Sequence, residues 1–475
     1  MGYRVQFLKA LLIAGIAVLA TVDECLAQSA CRDARLTASD PGVFESFGFA
    51  VAISDATAIV GAEWDRQLGT EAGAAYIFRP EGKMWTEMQK LLGSDQVAGD
   101  QFGHSVAIDG SVAMIGSLQH IHPDAPGTGA VYAFRFDSEA SVWIEEEEVL
   151  TATGEWGDGF GEVVSLHDDL MLVGARFDDD NGANAGAAFV FRFDPDTSQW
   201  VEEQKLLASN GSGGDFFGSS VAVEGPLAVV GATNHQNNNN TGGAAYVFGF
   251  DPDTSVWVQE QILRPSDGAG GTNFGHSVSI SGDLILVGAH VEGNNGAAYV
   301  FRLDPKASQW EMEQKFVASD PGGIDQFGRS VAIDGAPGNE TAVVGAWQGN
   351  AFSGAAYIYR FDSDASQWIE QAIALPEPNA WTNFFGWSVA IDGETAVIGA
   401  HGEDQQRGAA YVFDVALNCD CPQDLDLDGS VGASDLLSLL VSWGPCKGCP
   451  ADFDGNGTVG AFDLLALLVN WGPCP

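Results

Sequence analysis

The sequence predicts an all-β ring of seven small sheets, followed by a small α-helical calcium-binding domain, and three observations lead to this fold class. First, one unit recurs seven times at spacings of 53 to 58 residues, and each copy opens with a Phe-Gly pair. Second, the last copy lacks its final segment, and residues 34–39 near the N-terminus match that segment. Third, two acid-rich loops near the C-terminus align with each other at a 28-residue offset. A repeat array that is completed by its own N-terminus is a closed β-propeller.

The first 27 residues have the pattern of a secretory signal peptide. Arg4 and Lys9 precede an apolar run over residues 10–22, and residues 25–27 offer a cleavage site. The run is too short for a lasting membrane span, and no other stretch reaches the roughly 18 apolar residues that a spanning helix needs. Lipid attachment at Cys25 is an alternative, but residues 22–24 do not form a lipid-attachment box, so free secretion is favoured.

Acidic residues dominate the charge balance, with 65 acids against 20 bases and a net charge of −45. Such a field repels nucleic acid and anionic lipid, so neither is expected as a partner. The composition suits a soluble extracellular or cell-surface protein, and it favours divalent cations. The cysteines that remain after removal of Cys25 indicate disulfides in an oxidising compartment.

Each repeat is predicted to form four short strands. The first alternates in polarity and ends in several copies at a two-residue turn such as Asp109-Gly110. The second is a continuous apolar run, as at residues 342–346, which is typical of a strand buried on both faces. The third resumes the alternation, and the fourth carries a repeated tryptophan. Residues 31–418 are therefore predicted to form a seven-bladed β-propeller, with residues 34–39 as the outer strand of the last blade.

The Phe-Gly pair followed by Val-Gly-Ala resembles the FG-GAP repeat, which builds integrin α-subunit propellers and occurs in many bacterial secreted proteins. The resemblance covers residues 34–414. Calcium-binding members of that family carry an Asp-rich loop between the first two strands. Here the same hairpin is a bare turn, as at residues 391–396, so we expect no calcium in the blades.

Residues that repeat between the copies are explained by the fold. The tryptophans of six fourth strands could stack on sugars, but their constant offset favours packing between blades. The aspartate two positions before Phe-Gly is expected to hydrogen-bond its own turn rather than to act as an acid. These aspartates are Asp100, Asp158, Asp215 and Asp325.

Residues that differ between the copies are more informative about function. The position after Phe-Gly and the loop after Val-Gly-Ala vary from copy to copy, and both are expected on one face, beside the central channel. Aromatic, histidine and basic side chains there are candidates to bind a ligand, although an ordinary solvated loop surface is the alternative. The candidate ligand-binding residues are Trp64, His104, Arg176, His276, His290, Arg329, Trp347, Trp387 and His401.

Residues 419–475 are predicted to form a second domain with two EF-hand-like calcium loops. Oxygen side chains at the first, third, fifth and last positions, with glycine at the sixth, supply the ligands that calcium requires. The predicted ligands to two calcium ions are Asp424, Asp426, Asp428, Ser430 and Asp435 in the first loop, and Asp452, Asp454, Asn456, Thr458 and Asp463 in the second. Ser430 and Thr458 would contribute their backbone carbonyls. A leucine-rich helix follows each loop, at residues 436–440 and 464–468.

An aspartate at the last loop position and the lack of a preceding helix resemble a type I dockerin domain. Dockerins tether secreted proteins, usually polysaccharide-degrading enzymes, to a cohesin, so the resemblance implies a cohesin-like or cell-surface protein partner. In that family the tenth and eleventh loop positions help to choose the partner. Here they are Ala433-Ser434 and Ala461-Phe462, so the two halves present different surfaces.

Three disulfides are expected. Cys421–Cys446 and Cys449–Cys474 would each clamp one calcium repeat, and Cys31–Cys419 would lock the ring. Other connectivities among these cysteines remain possible.

The sequence contains no nucleophile elbow, phosphate loop or zinc motif, and no catalytic carboxylate pair can be named. We therefore expect a secreted or cell-surface, non-catalytic binding protein, with a glycan or protein ligand on the propeller and calcium-dependent attachment through the tail. The alternatives are an exo-acting polysaccharide-degrading enzyme on a propeller scaffold and a structural adhesion protein. An acid, a base and an aromatic confined to the central face would favour the enzyme, whereas a symmetric face would favour a scaffold.

Overall fold

The computed structural model describes most of the ring and parts of the tail. The described residues are 28–82, 84–121, 129–237, 240–265, 271–320, 325–336, 338–349, 353–376, 383–416, 423, 425, 430–445, 451, 453, 458–469 and 471–473. The predicted signal peptide, residues 1–27, lies outside them. No helix in these segments is long and apolar enough to cross a membrane.

The predicted seven-bladed ring is confirmed, because seven four-stranded antiparallel sheets follow one another along the chain. Blade 1 consists of strands Phe47–Ser54, Thr57–Ala62, Ala74–Glu81 and Met84–Leu91. Blade 2 consists of Phe102–Asp109, Val112–Ser117, Ala130–Asp137 and Val142–Val149. Blade 3 consists of Val163–His167, Leu170–Ala175, Ala187–Asp194 and Gln199–Leu206. Blade 4 consists of Phe217–Glu224, Leu227–Ala232, Ala244–Asp251 and Val256–Leu263.

The remaining blades follow the same order from the first, inner strand to the fourth, outer strand. Blade 5 consists of Ser277–Ser281, Leu284–Ala289, Ala297–Asp304 and Gln309–Phe316. Blade 6 consists of Phe327–Asp334, Thr341–Ala346, Ala355–Asp362 and Gln367–Ala374. Blade 7 consists of Val389–Asp392, Thr395–Ala400, Ala409–Asp414 and the N-terminal strand Cys31–Leu36. Loop elements are the strand pair Gln236–Asn237 and Asn240–Thr241, the 3₁₀ turn Glu292–Asn294 and the short helix Glu403–Gln406.

The N-terminus closes the ring in the predicted register but over a different range. Strand Cys31–Leu36 pairs antiparallel with Ala409–Asp414, and Leu36 lies opposite Ala410 as Leu206 lies opposite Ala188 in blade 3. The strand therefore begins three residues earlier than the predicted residues 34–39 and ends at Leu36. Before it, Gln28–Ser29 adds a short parallel strand to the outer edge of blade 6. The N-terminal segment thus joins two blades rather than one.

The two glycines of the repeat allow neighbouring blades to approach each other closely. The glycine of each Phe-Gly pair has a φ angle between 81° and 89°, a left-handed conformation that favours glycine. Its carbonyl faces the glycine of Val-Gly-Ala in the preceding blade. A Cβ atom on that second glycine would lie 2.0–2.1 Å from this carbonyl oxygen, so no larger residue fits. The same contact joins Gly399 of blade 7 to Gly48 of blade 1.

The repeated tryptophans pack between blades, as predicted. The side chains of Trp143, Trp200, Trp257, Trp310 and Trp368 are only 3–5% exposed, whereas Trp85 is partly exposed. In several copies, a glutamine side chain on the preceding blade's fourth strand bonds both the backbone N–H and the carbonyl of the tryptophan. Gln89, for example, donates to the Trp143 carbonyl at 2.9 Å and accepts from its N–H at 2.8 Å. The fourth strands are therefore tied together by side chain–backbone pairs around the outside of the ring.

The described part of the tail contains two equivalent helices, Ala433–Val441 and Ala461–Val469. The short strand Ser430–Val431 pairs with Gly472–Pro473, and Gly444–Pro445 pairs with Thr458–Val459, so each half of the tail is joined to the other. A small core holds them together, formed by Val431, Leu439, Ala451, Val459 and Leu467.

Candidate functional site at the channel mouth

Two cavities lie along the ring axis, because the first strands of all seven blades line both of them. They have volumes of about 290 and about 370 Å³. Valines of the first strands line both cavities and separate them, namely Val106, Val164, Val221, Val278, Val331 and Val389. The smaller cavity, here called the mouth, is lined by the residue after each Phe-Gly pair. These residues are Phe49, His104, Glu162, Ser219, His276, Arg329 and Trp387.

Strand geometry explains why these seven positions converge. Successive side chains of a strand point to opposite sides, so the residue after Phe-Gly and the valine two positions later both face the axis. The serine between them points to the next blade. Ser105 and Ser220, for example, each donate to a glycine carbonyl of the following blade at 2.8 Å. The repeat thus fixes the backbone of the mouth and leaves one side chain per blade free to vary.

Arg329 is the central cation of the mouth. Its guanidinium lies 3.9 Å from the ring centre of Trp387 and donates to Nε2 of His276. The His276 ring lies 4.1 Å from the His290 ring. Burial lowers the pKa of His276 well below its usual value, and nearby Arg329 lowers it further. Burial and Arg329 also lower the pKa of His290 to about 4. Both histidines are therefore neutral near pH 7, which leaves His276 able to accept the arginine N–H.

Arg329 has no carboxylate partner among the described residues, although the chain carries a net charge of −45. Burial lowers its pKa to about 10, and the neighbouring Arg176 lowers it as well. The guanidinium is nevertheless protonated at neutral pH. A desolvated cation without a counter-charge is costly, because burial removes the water that would otherwise stabilise it. The mouth therefore offers an anion a preformed partner.

Two carboxylates lie near the mouth, and each pairs with a different group. Nε of Arg176 lies 3.0 Å from Oε2 of Glu162, and Nδ1 of His104 lies 2.7 Å from Oε2 of Glu63. Burial raises the pKa of Glu162, and Arg176 opposes this shift. Acid, base and aromatic residues thus share one cavity, and the face is not symmetric.

Aromatic side chains form the wall of the mouth beside Arg329. Trp387 contacts Phe49, Trp347 and His401 with ring centres 5.7, 5.5 and 4.7 Å apart. Burial lowers the pKa of His401 to about 3, with a further contribution from Arg329. His401 is therefore neutral and behaves as part of an apolar wall. Trp347 is fixed by a 2.9 Å hydrogen bond from its Nε1 to Gln326.

The structure brings most of the predicted ligand-binding residues together. Five line the mouth, namely His104, Arg176, His276, Arg329 and Trp387. Three more contact these lining residues, namely His290, Trp347 and His401. Trp64 neither lines the mouth nor contacts this group in the described structure; its N–H bonds the Glu45 carbonyl instead.

Two acids of the site, Glu162 and Glu63, were missing from the sequence-based candidates. Glu162 follows a Phe-Gly pair, as His104 and Arg329 do, so its position carried the necessary signal. Glu63 directly follows Gly-Ala, and the corresponding positions of blades 3 and 5 hold Arg176 and His290. Aligning the repeats at the position directly after Gly-Ala would have selected Glu63 as the candidate instead of the neighbouring Trp64.

The aspartates before Phe-Gly bond their own turns, as predicted. Asp100 accepts from the Val97 N–H at 2.7 Å, and Asp158 accepts from the Glu155 N–H at 2.6 Å. They are therefore structural residues.

The predicted calcium ligands are only partly described. Asp424, Asp426, Asp428, Asp452, Asp454 and Asn456 lie outside the described residues. Ser430 and Thr458 each begin a short strand. Asp435 and Asp463 are buried, and they accept backbone N–H groups of their own loops in equivalent ways. Asp435 bonds Leu425 and Gly432 at 2.6 and 2.7 Å, and Asp463 bonds Phe453 and Gly460, both at 2.8 Å.

The ring and its mouth define a propeller whose repeated framework presents one asymmetric site on the axis. The family model described as "FG-GAP repeat" matches seven segments of the chain. They are residues 32–78, 85–134, 143–191, 200–248, 257–301, 310–359 and 368–413. These segments cover more than half of the chain, so the protein belongs to the FG-GAP repeat family. FG-GAP repeats are typical of extracellular or surface proteins, and they suggest a binding or recognition role.

A shorter similarity links the chain to Kelch-like protein 36. The chain is 32% identical to the Mus musculus protein over 147 residues, which are 31% of this chain and 22% of that protein. The Bos taurus protein is 27% identical over 147 residues, again 31% of this chain and 21% of that protein. The chain thus spans about a fifth of the length of these curated relatives. Kelch repeats also form propeller blades, so this similarity agrees with the fold.

Proposed function

We propose that this protein is a secreted, non-catalytic binding protein whose propeller recognises an anionic group at the mouth and whose tail attaches it to a partner protein. The observation that carries the proposal is Arg329, a buried cation in a cavity that no described carboxylate neutralises. Its guanidinium is oriented by Trp387 and His276, so it is preorganised for bidentate contact with a carboxylate or sulfate group.

The size and lining of the mouth favour a small acidic group on a saccharide or protein ligand. A volume of about 290 Å³ accommodates one ring or one side chain rather than a long segment. The aromatic wall around Trp387 and Phe49 offers apolar contact beside the cation. Aromatic residues and arginine are also the residue types that dominate the energetics of binding sites.

The overall charge makes the recognition short-ranged. The net charge of −45 repels an anionic ligand at a distance, whereas Arg329 and Arg176 attract it only within the mouth. Salt screens the long-range repulsion more than the partly buried contact. We therefore expect that raising the salt concentration from about 0.01 M to about 0.1 M does not weaken binding.

We propose that the tail is a dockerin-like attachment domain that folds around two calcium ions. Asp435 and Asp463 are suitable hard oxygen ligands at equivalent loop positions, and each bound calcium ion would draw the oxygens of its own loop around one of them. Apolar side chains remain exposed on the described helices, which suits docking to a cohesin-like or cell-surface protein. They include Leu437, Leu440, Val441, Phe462, Leu465, Leu468 and Val469, which are 48–80% exposed.

Calorimetric titration of the full chain with calcium tests the tail. We expect two ions for the wild type and a loss of one ion for Asp435→Asn and for Asp463→Asn. Stoichiometric binding that both substitutions leave intact would place the calcium elsewhere.

The three proposed disulfides are tested separately. Cys31 opens the closing strand, whereas Cys419, Cys421, Cys446, Cys449 and Cys474 lie outside the described residues. Peptide mapping that joined Cys31 to a cysteine other than Cys419 would contradict the ring lock.

One observation favours a polysaccharide hydrolase as the second candidate. Glu162 lines the mouth, and burial raises its pKa, as expected for a general acid. Its ion pair with Arg176 holds it in place and opposes protonation, which favours the binding function instead. Release of reducing sugar by the wild type but not by Glu162→Gln would support the enzyme.

The proposed binding function is tested with a panel of matched neutral and acidic oligosaccharides and surface proteins. We expect the wild type to retain acidic members selectively and Arg329→Met to lose them by at least tenfold in affinity. Arg192→Met is the control, because it removes the same charge from the outside of blade 3, where Arg192 pairs with Glu203 and Asp169. Equal binding by wild type and Arg329→Met, or selection of neutral ligands, would contradict the proposal.

A further inference from the structure

A second cluster of polar side chains lies in blade 2, outside the mouth. His120 follows the second strand, Glu148 lies on the fourth strand, and Asp95 follows the fourth strand of blade 1. One ligand atom from each of these residues lies within 4.8 Å of the others. None of the three lines either axial cavity. Their proximity therefore needs an explanation that is independent of the mouth.

Comparison of the blades shows that this cluster departs from the repeat. In blades 1, 3 and 5 the two positions that correspond to His120 and Glu148 hold an acid and a lysine, which form an ion pair. These pairs are Asp65–Lys90, Asp178–Lys205 and Glu292–Lys315. Blade 2 replaces the acid with a histidine and the lysine with a glutamate. Blades 1 and 3 place that lysine between two carboxylates, since Lys90 also pairs with Asp40 and Lys205 also pairs with Asp180. Blade 2 instead places an imidazole between two carboxylates.

Outer hydrogen bonds orient two of the three side chains toward one point. Buried Asp100 lies 3.0 Å from Nδ1 of His120, so Nε2 is the ring nitrogen that faces Glu148. The Tyr132 hydroxyl donates to Oδ1 of Asp95 at 2.8 Å, and the other oxygen of Asp95 faces Nε2. A carboxylate behind the distal nitrogen is the arrangement that fixes the tautomer of metal-binding histidines.

The distances between these atoms fit a tetrahedral metal. Nε2 of His120 lies 3.0 Å from Oε1 of Glu148 and 3.7 Å from Oδ2 of Asp95. Zinc–nitrogen and zinc–oxygen bonds of about 2.05 Å place neighbouring tetrahedral ligands about 3.3 Å apart. These two separations bracket this value, and the facing oxygens of Glu148 and Asp95 lie within 4.8 Å of each other. Small movements of the Asp95 side chain, which is 45% exposed, would bring all three atoms to bonding distance.

We propose that His120, Glu148 and Asp95 bind a divalent transition metal of the zinc class, with Asp100 and Tyr132 as positioning residues. One imidazole and two carboxylates are a ligand set that zinc accepts, and water can complete the coordination because Asp95 reaches solvent. The metal would tie blade 1 to blade 2 at their outer flank. This site is independent of the function proposed for the mouth.

Blade 4 supplies a natural control for this site. His235 occupies the same position as His120, and Asp215 lies 2.8 Å from its Nδ1, as Asp100 does for His120. The two carboxylate positions differ, because Asn210 accepts the Tyr246 hydroxyl and Ile262 faces Tyr246 on the fourth strand. Blade 4 thus keeps the histidine and its positioning aspartate but lacks both acidic ligands. The proposal predicts that it binds no zinc.

The test is calorimetric titration of the full mature chain with zinc chloride, in excess calcium so that the tail loops are occupied. We expect wild type to bind one zinc more than Glu148→Gln and Asp95→Asn, while His235→Gln behaves as wild type. Asp100→Asn should keep the stoichiometry but bind the same ion about 10–100-fold more weakly. Asp95 is exposed enough for its substitution to be tolerated even if Glu148→Gln fails to fold, which thermal melting would reveal.

A gain of function sharpens the test. The double substitution Asn210→Asp, Ile262→Glu should give blade 4 a second zinc, and failure to gain it would overturn the claim that these three ligands suffice. Equal zinc uptake by wild type, Glu148→Gln and Asp95→Asn would overturn the proposal altogether. In that case His120 acts as a cation that pairs with its neighbouring carboxylates, in the way that Lys90 pairs with Asp65 in blade 1.

Discussion

The repeated framework of the ring and the mouth at its axis differ in how their residues vary from blade to blade. In the framework, a residue of one blade makes the same contact as its counterparts, as Gln89 does with Trp143 and Gln261 does with Trp310. In the mouth, the position after Phe-Gly holds a different chemistry in most blades, including the desolvated cation Arg329. The framework residues explain why the ring is stable. Nothing in the framework requires the particular set of mouth residues, so the difference marks them as the residues for which we propose a binding role.

The largest expected effect comes from opening the ring. Deletion of residues 31–40 removes the strand Cys31–Leu36 and the buried Leu36, and it exposes the edge of Ala409–Asp414. We expect a loss of at least about 3 kcal/mol of stability from the lost apolar burial alone. Deletion of residues 28–30 is the control, since it removes the short strand on blade 6 and the small buried side chain of Ala30 and should cost much less. Thermal melting measures both, and equal melting temperatures would contradict closure by the N-terminus.

A single framework glycine should have the next largest effect. Gly231→Ala would place a Cβ atom 2.0 Å from the Gly275 carbonyl oxygen of the next blade. Because backbone must move to accommodate it, we expect a loss of about 3 kcal/mol. Gly225→Ala is the matched control. Gly225 has a φ of 53°, but no atom lies within 4 Å of the place that a Cβ methyl group would occupy, so only about 1 kcal/mol of backbone strain is expected. Chemical unfolding distinguishes the two costs.

The fold could be predicted because the same pattern of four strands recurs seven times in the sequence. The Phe-Gly and Val-Gly-Ala glycines, the strand-four tryptophans and the completing segment at residues 34–39 are each visible in the sequence. The extent of the closing strand could not be predicted, because the pairing of Cys31 and Arg32 with Asp414 and Phe413 leaves no pattern in the repeat. The mouth was predicted as a set of variable positions.

The pairings within the mouth, however, depend on how the strands are placed in space. Glu63 of blade 1 pairs with His104 of blade 2, whereas Arg176 and Glu162 pair within blade 3, across the ends of its first two strands, so no local sequence pattern predicts either pair. The polar cluster at blade 2 could not be predicted either. Its members Asp95, His120 and Glu148 are far apart in the sequence and come together only through neighbouring strands.

Acidification should weaken the mouth before it weakens the framework. Burial lowers the pKa of His290 to about 4 and that of His401 to about 3 in the folded protein, against about 6.5 in an unfolded chain. Their contribution is therefore complete above pH 6.5 and is lost as the pH falls toward 4 for His290 and toward 3 for His401, by an amount on the order of 3 kcal/mol for each. His401→Phe should flatten this pH dependence of the melting temperature, whereas substitution of the partly exposed His167 by Gln should not. An unchanged slope in His401→Phe would contradict the assignment.

The smallest expected effect on stability concerns Arg329 itself. Its buried charge lacks a described carboxylate, so Arg329→Met should leave the melting temperature unchanged or raise it slightly while binding is lost. Arg35→Met offers the contrast within the framework. Arg35 donates to the buried Glu403 through Nε at 2.9 Å, and its loss would leave that carboxylate with the Tyr411 hydroxyl but without the Arg35 charge. A clear destabilisation by Arg329→Met, similar to that of Arg35→Met, would mean that the mouth cation belongs to the framework.

The central claim, that the mouth serves binding and the framework serves folding, is tested most directly by making the mouth symmetric. Blade 4 already carries Ser219, so serine can replace the other six residues of the ring, which are Phe49, His104, Glu162, His276, Arg329 and Trp387. The measurement is binding of the acidic ligand panel, alongside circular dichroism and melting of the same sample. The account predicts wild-type strand content, one cooperative transition and no retained ligand. A variant that keeps its acidic ligands, or a ring that no longer folds, would contradict it.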